Sequence, residues 1–292
     1  MLKAYIMLIS SMLIWGSLPV FVNQVSYSSE QIVLCRVVLG LAFLLLVFFI
    51  RGKKPDVAGI RRYGIQLLVT GVIMGFNWVF LFDAYRYVDV SIATLCYYTE
   101  PVLVCIASIF LFREKMTPIK IVSIAAAVIG MVIVNGVTAG GSDPLRGVAC
   151  GLLAALLYCM VTLSNKSVHG LSGLEITIVQ LVGAAIVMVP YVLLSQGFGP
   201  PAYGWKDVVF MLALGIVHSG IALLIYFSSM QFLPAQTVAL CSYVDPASAL
   251  FFAAIFLGDR LSVLQWLGAI LIIGGAAAPH VLPLFHKKKI ER

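Results

Sequence analysis

Leu95-Cys96-Tyr97-Tyr98-Thr99-Glu100-Pro101 and Leu240-Cys241-Ser242-Tyr243-Val244-Asp245-Pro246 are one device written twice, and they decide how the rest of the chain reads. Each places a carboxylate directly before a proline, inside an apolar stretch long enough to cross a bilayer. An ionisable group at that depth is costly to keep and therefore points to function. Two of them, half a chain apart, point to a central site between internal repeats.

The surrounding composition demands lipid. The chain has 292 residues, 62% hydrophobic and only 11% charged, with a mean hydropathy of +1.06. A soluble domain sits nearer half apolar and a quarter charged, so this chain cannot cover its surface with polar groups. The formal charge of +7 does not indicate a nucleic-acid partner, because the basic residues cluster in short loops and at the C-terminus.

Apolar runs of roughly 17–25 residues predict ten spans, near 4–23, 29–50, 64–86, 90–112, 118–136, 147–167, 173–195, 207–230, 235–257 and 263–284. A signal peptide is the competing reading of the first. It has only Lys3 in front and a second span directly behind it, so it is read as retained.

With the N-terminus in the cytoplasm, the inner side receives Lys3, Arg51, Lys53, Lys54, Arg61, Arg62, Arg113, Lys115, Lys120, Lys166, Lys287, Lys288, Lys289 and Arg292. The outer side receives Arg86, Arg146, Lys206 and Arg260. The positive-inside rule therefore places both termini in the cytoplasm of a cell (plasma or inner) membrane protein. The six cysteines all fall within spans, without CxxC spacing, and read as reduced packing residues.

A shift of 145 positions superimposes Leu95 on Leu240, Cys96 on Cys241, Tyr98 on Tyr243, Glu100 on Asp245 and Pro101 on Pro246. It also brings Glu114-Lys115 onto Asp259-Arg260 and Gly130 onto Gly275. Five spans per half is an odd number, so the second half enters the membrane from the opposite side. The expectation is an all-α integral membrane protein, ten transmembrane helices in two inverted five-helix repeats. The repeats take residues 1–136 and 147–285, with a Gly- and Pro-rich joint at 137–146 and a basic tail at 286–292.

Each acid lies about ten residues into its span, or about 15 Å deep at 1.5 Å per residue, near the midplane. Each proline frees a carbonyl one turn earlier, those of Tyr97 and Ser242.

Taken together, the blocks Glu100-Pro101 through Phe112-Arg113-Glu114-Lys115 and Asp245-Pro246 through Leu257-Gly258-Asp259-Arg260 resemble the EamA-type members of the drug/metabolite transporter superfamily. Leu13-Ile14-Trp15-Gly16 and Cys35-Arg36-Val37-Val38-Leu39-Gly40 carry the same resemblance, which covers essentially the whole chain. It implies a central cavity lined by the first, third, fourth, sixth, eighth and ninth spans and closed alternately on each side. Relatives of this kind are mostly exporters of amino acids and other metabolites, with some importers of choline-like cations. This chain departs from the pattern in carrying the acid-proline pair in both halves, which favours a cationic or zwitterionic substrate, or a proton site.

Glu100 and Asp245 are the first candidates for substrate binding and proton coupling. The bland reading is that each caps the break at its proline or pairs with a buried base such as Arg36. Two carboxyl groups sharing one apolar site can hold a proton and release it when a cation arrives. Trp15, Trp78, Tyr97, Tyr98, Tyr158, Tyr226 and Tyr243 lie near the middle of cavity-lining spans, whereas most Trp and Tyr sit in interfacial belts. Around a carboxylate they would form a cation cage, stack an aromatic substrate, or simply pack.

Asn77 and His218, with Gln180 behind them, either hydrogen-bond across helices or orient substrate, and His218 could relay protons. Arg36 must be paired or face a polar cavity: it either fixes a carboxylate partner or binds the carboxylate of an amino acid. Glu114/Lys115 and Asp259/Arg260, at span ends, read as boundary anchors or gate contacts. The small-residue runs Ala125-Ala126-Ala127 to Gly130 and Gly274 to Ala278 assign the fifth and tenth spans to scaffold. His280 and His286 read as incidental, and the basic tail as an anchor at anionic headgroups.

The leading expectation is a secondary active transporter of small polar metabolites, proton-coupled, exporting amino acids or related compounds. The alternative is import of choline-like organic cations. The partners expected are the small-molecule substrate, protons and the lipid bilayer. A lipid-modifying membrane enzyme would need a catalytic cluster, and no HExxH, GxSxG or phosphate-binding loop is present. Nothing resembles a selectivity filter, and neither metal nor cofactor is expected.

Overall fold

The structure, a computed structural model, describes residues 2–52, 54–136, 142–196, 204–258 and 260–290, with side chains described for all of these but 196 and 280–290. Among the described residues every regular element is helical. Among the described residues, nine helices are long and apolar enough to cross a membrane: α1 (Leu2–Val22), α2 (Ser29–Arg51), α3 (Val57–Tyr87), α4 (Val90–Leu111), α5 (Pro118–Asn135), α6 (Pro144–Lys166), α7 (Gly173–Ser195), α8 (Trp205–Met230) and α9 (Ala235–Leu257). The last helix, α10 (Val263–Ile290), contributes a shorter apolar stretch, Val263–Pro279. The ten expected segments are thus all helical, but nine have the length and apolarity of a span.

Local chemistry sets the starts. At α2, Ser28 Oγ accepts from the Gln31 amide at 3.3 Å and Gln31 Oε1 accepts from the Ser28 amide at 3.2 Å, a reciprocal cap. At α3, Asp56 Oδ1 accepts from the Gly59 amide at 3.0 Å, so the helix begins a full turn and more before the expected 64 and carries Arg61 and Arg62 on its first turns. Asp143 accepts from the Arg146 amide at 3.2 Å to open α6.

Four helices are interrupted, and the interruptions surround one region. α1 breaks at Ser17 before Pro19. α4 stops at Tyr97 and restarts at Glu100, where Pro101 opens the second half and Thr99 Oγ1 donates to the Cys96 carbonyl at 2.6 Å. α9 breaks between Ser242 and Val244. α8 passes through a π-helical stretch, Leu214–Ile221, and α9 ends in another, Ala253–Leu257, closed by left-handed Gly258 (φ 78°). Such stretches lack the regular i to i−4 ladder and often mark functional regions.

Small residues let the scaffold helices touch backbone to backbone. α3 packs on α6 and α7, and α5 on α10. A Cβ on Gly71 would lie 2.3 Å from the Gln180 carbonyl oxygen, and one on Gly183 2.4 Å from that of Leu68. The fifth and tenth segments, read as scaffold, pack against each other: a Cβ on Gly130 would lie 2.6 Å from the Gly268 carbonyl. The exterior is apolar, with Ile65, Phe110 and Leu194 exposed by 81%, 78% and 88%.

Candidate functional site

Inside the bundle lies a cavity of about 440 Å³. Its wall runs from Leu18, Pro19 and Val22 at the finish of α1, past Ser29, Ile32 and Val33 at the start of α2, to Tyr85 in α3 and Thr94 in α4. It reaches inward to Glu100, Tyr158, Ser242 and Asp245. The cavity therefore extends toward the end of the bundle where α1 and α3 finish and α2 and α4 begin.

The breaks in α4 and α9 place both acids on this one cavity. Asp245 Oδ2 accepts from the Tyr98 hydroxyl at 3.2 Å. The Tyr243 hydroxyl donates to the Tyr98 carbonyl at 3.3 Å, so a carbonyl released by the α4 break is satisfied by α9. Glu100, 3% exposed, accepts from the Thr162 hydroxyl at 2.9 Å. Each acid is thus held by a hydroxyl from another helix.

Arg36 lines the same cavity. Its Nε donates to Ser219 Oγ at 3.1 Å, and among the described residues its Nη atoms have no hydrogen-bond partner. Asp245 and Tyr97 are within its electrostatic range. The expected carboxylate pairing is not made: the ion pairs among the described residues are Arg86 with Glu30 at 2.8 Å and with Asp83 at 3.4 Å. The guanidinium is oriented by a neutral hydroxyl and keeps its fork for the cavity.

Of the aromatic candidates, Trp15, Trp78, Tyr97, Tyr98 and Tyr158 line the cavity. Tyr97 stacks on Tyr158 with centroids 5.9 Å apart and planes 20° apart. Tyr226 and Tyr243 are fully buried behind the wall, Tyr226 against the edge of Trp15 at 5.0 Å. The Trp15 indole N–H donates to the His218 carbonyl at 2.8 Å, in the π-helical stretch of α8.

Asn77, His218 and Gln180 lie outside the lining and cross-link helices. Asn77 Nδ2 donates to the Ala154 carbonyl at 2.6 Å, while its buried Oδ1 makes no hydrogen bond among the described residues; the Asn77 amide also lies within reach of the Tyr97 hydroxyl. His218 Nε2 meets Ser17 Oγ at 3.0 Å and its ring packs against Phe21. Gln180 Nε2 donates to Thr70 Oγ1 at 3.0 Å and Asn165 Oδ1 at 2.8 Å, joining α7 to α3 and α6.

Toward the opposite end of the bundle, polar contacts tie α4 to α9. The Glu114 carboxylate accepts from the Ala235 and Gln236 amides at 2.7 and 3.1 Å, at the start of α9. Gln236 donates to Ser108 Oγ at 2.9 Å and its Oε1 accepts from Lys120 Nζ at 2.5 Å. Asp259, its expected counterpart, lies outside the described residues, and Arg260 is exposed.

Sequence reasoning missed Thr162, Ser219, Ser17 and Tyr85. The hydroxyl residues carried no signal, because Ser and Thr in apolar helices commonly bond to their own backbone, as Ser11, Ser108 and Thr177 do here.

An all-helical bundle with an apolar exterior, nine of its described helices long and apolar enough to span a bilayer, defines a multi-pass membrane protein. Residues 2–136 and 145–278 match the EamA-like transporter family, and the chain belongs to that family. It is 32% identical over 285 residues to the uncharacterized transporter YxxF of Bacillus subtilis (strain 168), covering 94% of this chain and 88% of that protein. It is 24% identical over 247 residues to protein PecM of Dickeya dadantii (strain 3937), covering 83% and 82%. A solved crystal structure shares the fold, with a TM-score of 0.83 at 19% identity over 96% of this chain and 98% of the other. The chain is a membrane transporter.

Proposed function

We propose that this transporter is a proton-coupled secondary active exporter of amino acids or related zwitterions, working by alternating access. The observation that carries the reading is the meeting of opposite charges on one cavity. Arg36 presents unoccupied Nη atoms, while Asp245 and Glu100 share the same wall. A ligand bearing a carboxylate and an ammonium complements both, with a bidentate fork at one end and a carboxylate flanked by aromatic faces at the other. The volume, about 440 Å³, falls within the roughly 300–1,000 Å³ of small-molecule sites. A choline-like cation would satisfy the acids and aromatics but offer nothing to the Arg36 fork and set a second positive charge on the same cavity.

Alternating access follows from the same asymmetry, with a cavity extending toward one end and polar contacts shutting the other. In this reading residues 1–136 and 147–285 form two inverted five-helix repeats, joined by 137–146 and followed by the tail 286–292. Residues 137–141 and the side chains of the tail lie outside the described residues. The basic residues put both termini in the cytoplasm, so the cavity faces outward. The chain acts as a carrier, with no catalytic residue assigned.

Counterflow in proteoliposomes tests the reading. Labelled amino acids are expected to accumulate against unlabelled ones inside, and labelled choline is not. Accumulation of choline alone would replace the zwitterion reading with cation transport.

A further inference from the structure

Glu100 and Asp245 occupy equivalent places in the sequence but unequal places in space. Asp245 has a cation in range, Arg36, and a donor in contact, Tyr98. Among the described residues, no cation lies in range of Glu100. The titratable groups in its electrostatic range are the hydroxyls of Tyr97, Tyr158, Tyr226 and Tyr243 and the thiols of Cys105 and Cys159. They come from α4 itself, α6, α8 and α9, and Thr162 of α6 completes the shell. All are neutral in their ordinary states.

The sequence explains the difference. The shift of 145 that superimposes Glu100 on Asp245 superimposes Leu181 on Arg36, and Leu181 is fully buried. One acid kept a cation at the matching position and the other has a hydrocarbon there. A carboxylate that is 3% exposed, without a counter-charge, is held far more easily as the neutral acid.

We propose that the two acids divide the work: Asp245, with Arg36 and Tyr98, receives the charged ends of the substrate, while Glu100 carries the coupling proton. The division rests on the zwitterion reading above. Thr162 donates to Oε1 of Glu100, leaving Oε2 to hold the proton. A substrate ammonium entering the shared low-dielectric cavity favours the carboxylate. The Glu100 O–H bond then breaks and the proton passes to water on whichever side the cavity is open. When the substrate leaves, a proton from water re-forms the acid. Substrate and proton thus exchange with no chemical change in either.

The experiment compares Glu100→Gln and Asp245→Asn in proteoliposomes, using the labelled amino acid that gives the strongest wild-type counterflow. Counterflow needs binding and alternation but no net proton movement, whereas accumulation driven by a pH gradient needs both. Gln can still accept from Thr162 and stands for the protonated acid, so E100Q is expected to bind substrate severalfold more weakly but to exchange it at saturating concentration, with a flat pH profile, and to lose all gradient-driven accumulation. D245N is expected to lose counterflow at least about tenfold, the scale of one lost charge-assisted contact. Gradient-driven accumulation by E100Q would overturn the division, as would a counterflow that is absent at saturating substrate or that keeps the wild-type pH profile. Should E100Q fail to fold, Glu100→Asp keeps an ionisable proton and must retain coupling for the division to stand. Wild-type counterflow with choline and no amino acid would overturn the zwitterion reading beneath it instead, and the same variants would then test the division with choline.

Discussion

Among the described residues Arg36 makes one hydrogen bond, through Nε to Ser219, and it lines the cavity. Replacing it with Gln removes the charge, and with Lys it removes the planar fork. Both variants are expected to weaken amino-acid binding about tenfold to a hundredfold, the range for hydrogen bonds to charged groups. Equilibrium binding to the purified protein measures this, and an unchanged affinity would show that the guanidinium does not touch substrate. The place of the charged and aromatic residues along their helices was legible in the sequence, because apolar runs fix position along a helix axis. Azimuth was not. Trp15, Trp78 and Tyr97 line the cavity while Tyr226, Tyr243, Asn77 and His218 sit behind it. Successive residues turn by about 100° around a helix, and the breaks in α1, α4, α8 and α9 change that phase.

At the scale of the element, the close crossings are the most sensitive points. Gly71→Ala would drive a Cβ to within 2.3 Å of a backbone carbonyl that cannot move aside cheaply. It is expected to destabilise by about 1–3 kcal/mol, as overpacking does. Gly274→Ala meets nothing within 4 Å and is expected to be neutral or stabilising by about 0.5–1 kcal/mol. Thermal unfolding in detergent compares the two, and equal midpoints would refute the packing argument. The proline breaks in α4 and α9 could be read from the chain because proline removes a donor. The π-helical stretches could not, since the altered hydrogen bonding of Leu214–Ile221 requires no marker residue. Helix ends were legible only where a cap was recognised, and Asp56 extended α3 beyond the apolar run that suggested it.

At the scale of the whole molecule, two ends of one bundle are treated differently. The Glu114 carboxylate and Gln236 tie the end of α4 to the start of α9, and Cys105 is buried beneath them. Glu114→Gln removes one of two charge-assisted bonds to backbone amides, since the new amide nitrogen cannot accept, and weakens the other. In a background retaining only Cys105, it is expected to speed maleimide labelling from that end severalfold, while the unaltered closure keeps labelling slow. Labelling at the same rate would mean that these contacts do not hold the end shut. The distribution of tryptophans has a practical consequence at this scale. Trp15 and Trp78 line the cavity, whereas Trp205 and Trp266 are 75% and 46% exposed on the outer surface. The chain therefore carries two sets of intrinsic fluorophores in separate solvents: brominated acyl chains should quench the outer pair, and occupancy of the interior should perturb the inner pair, so that ligand entry can be followed without any added dye.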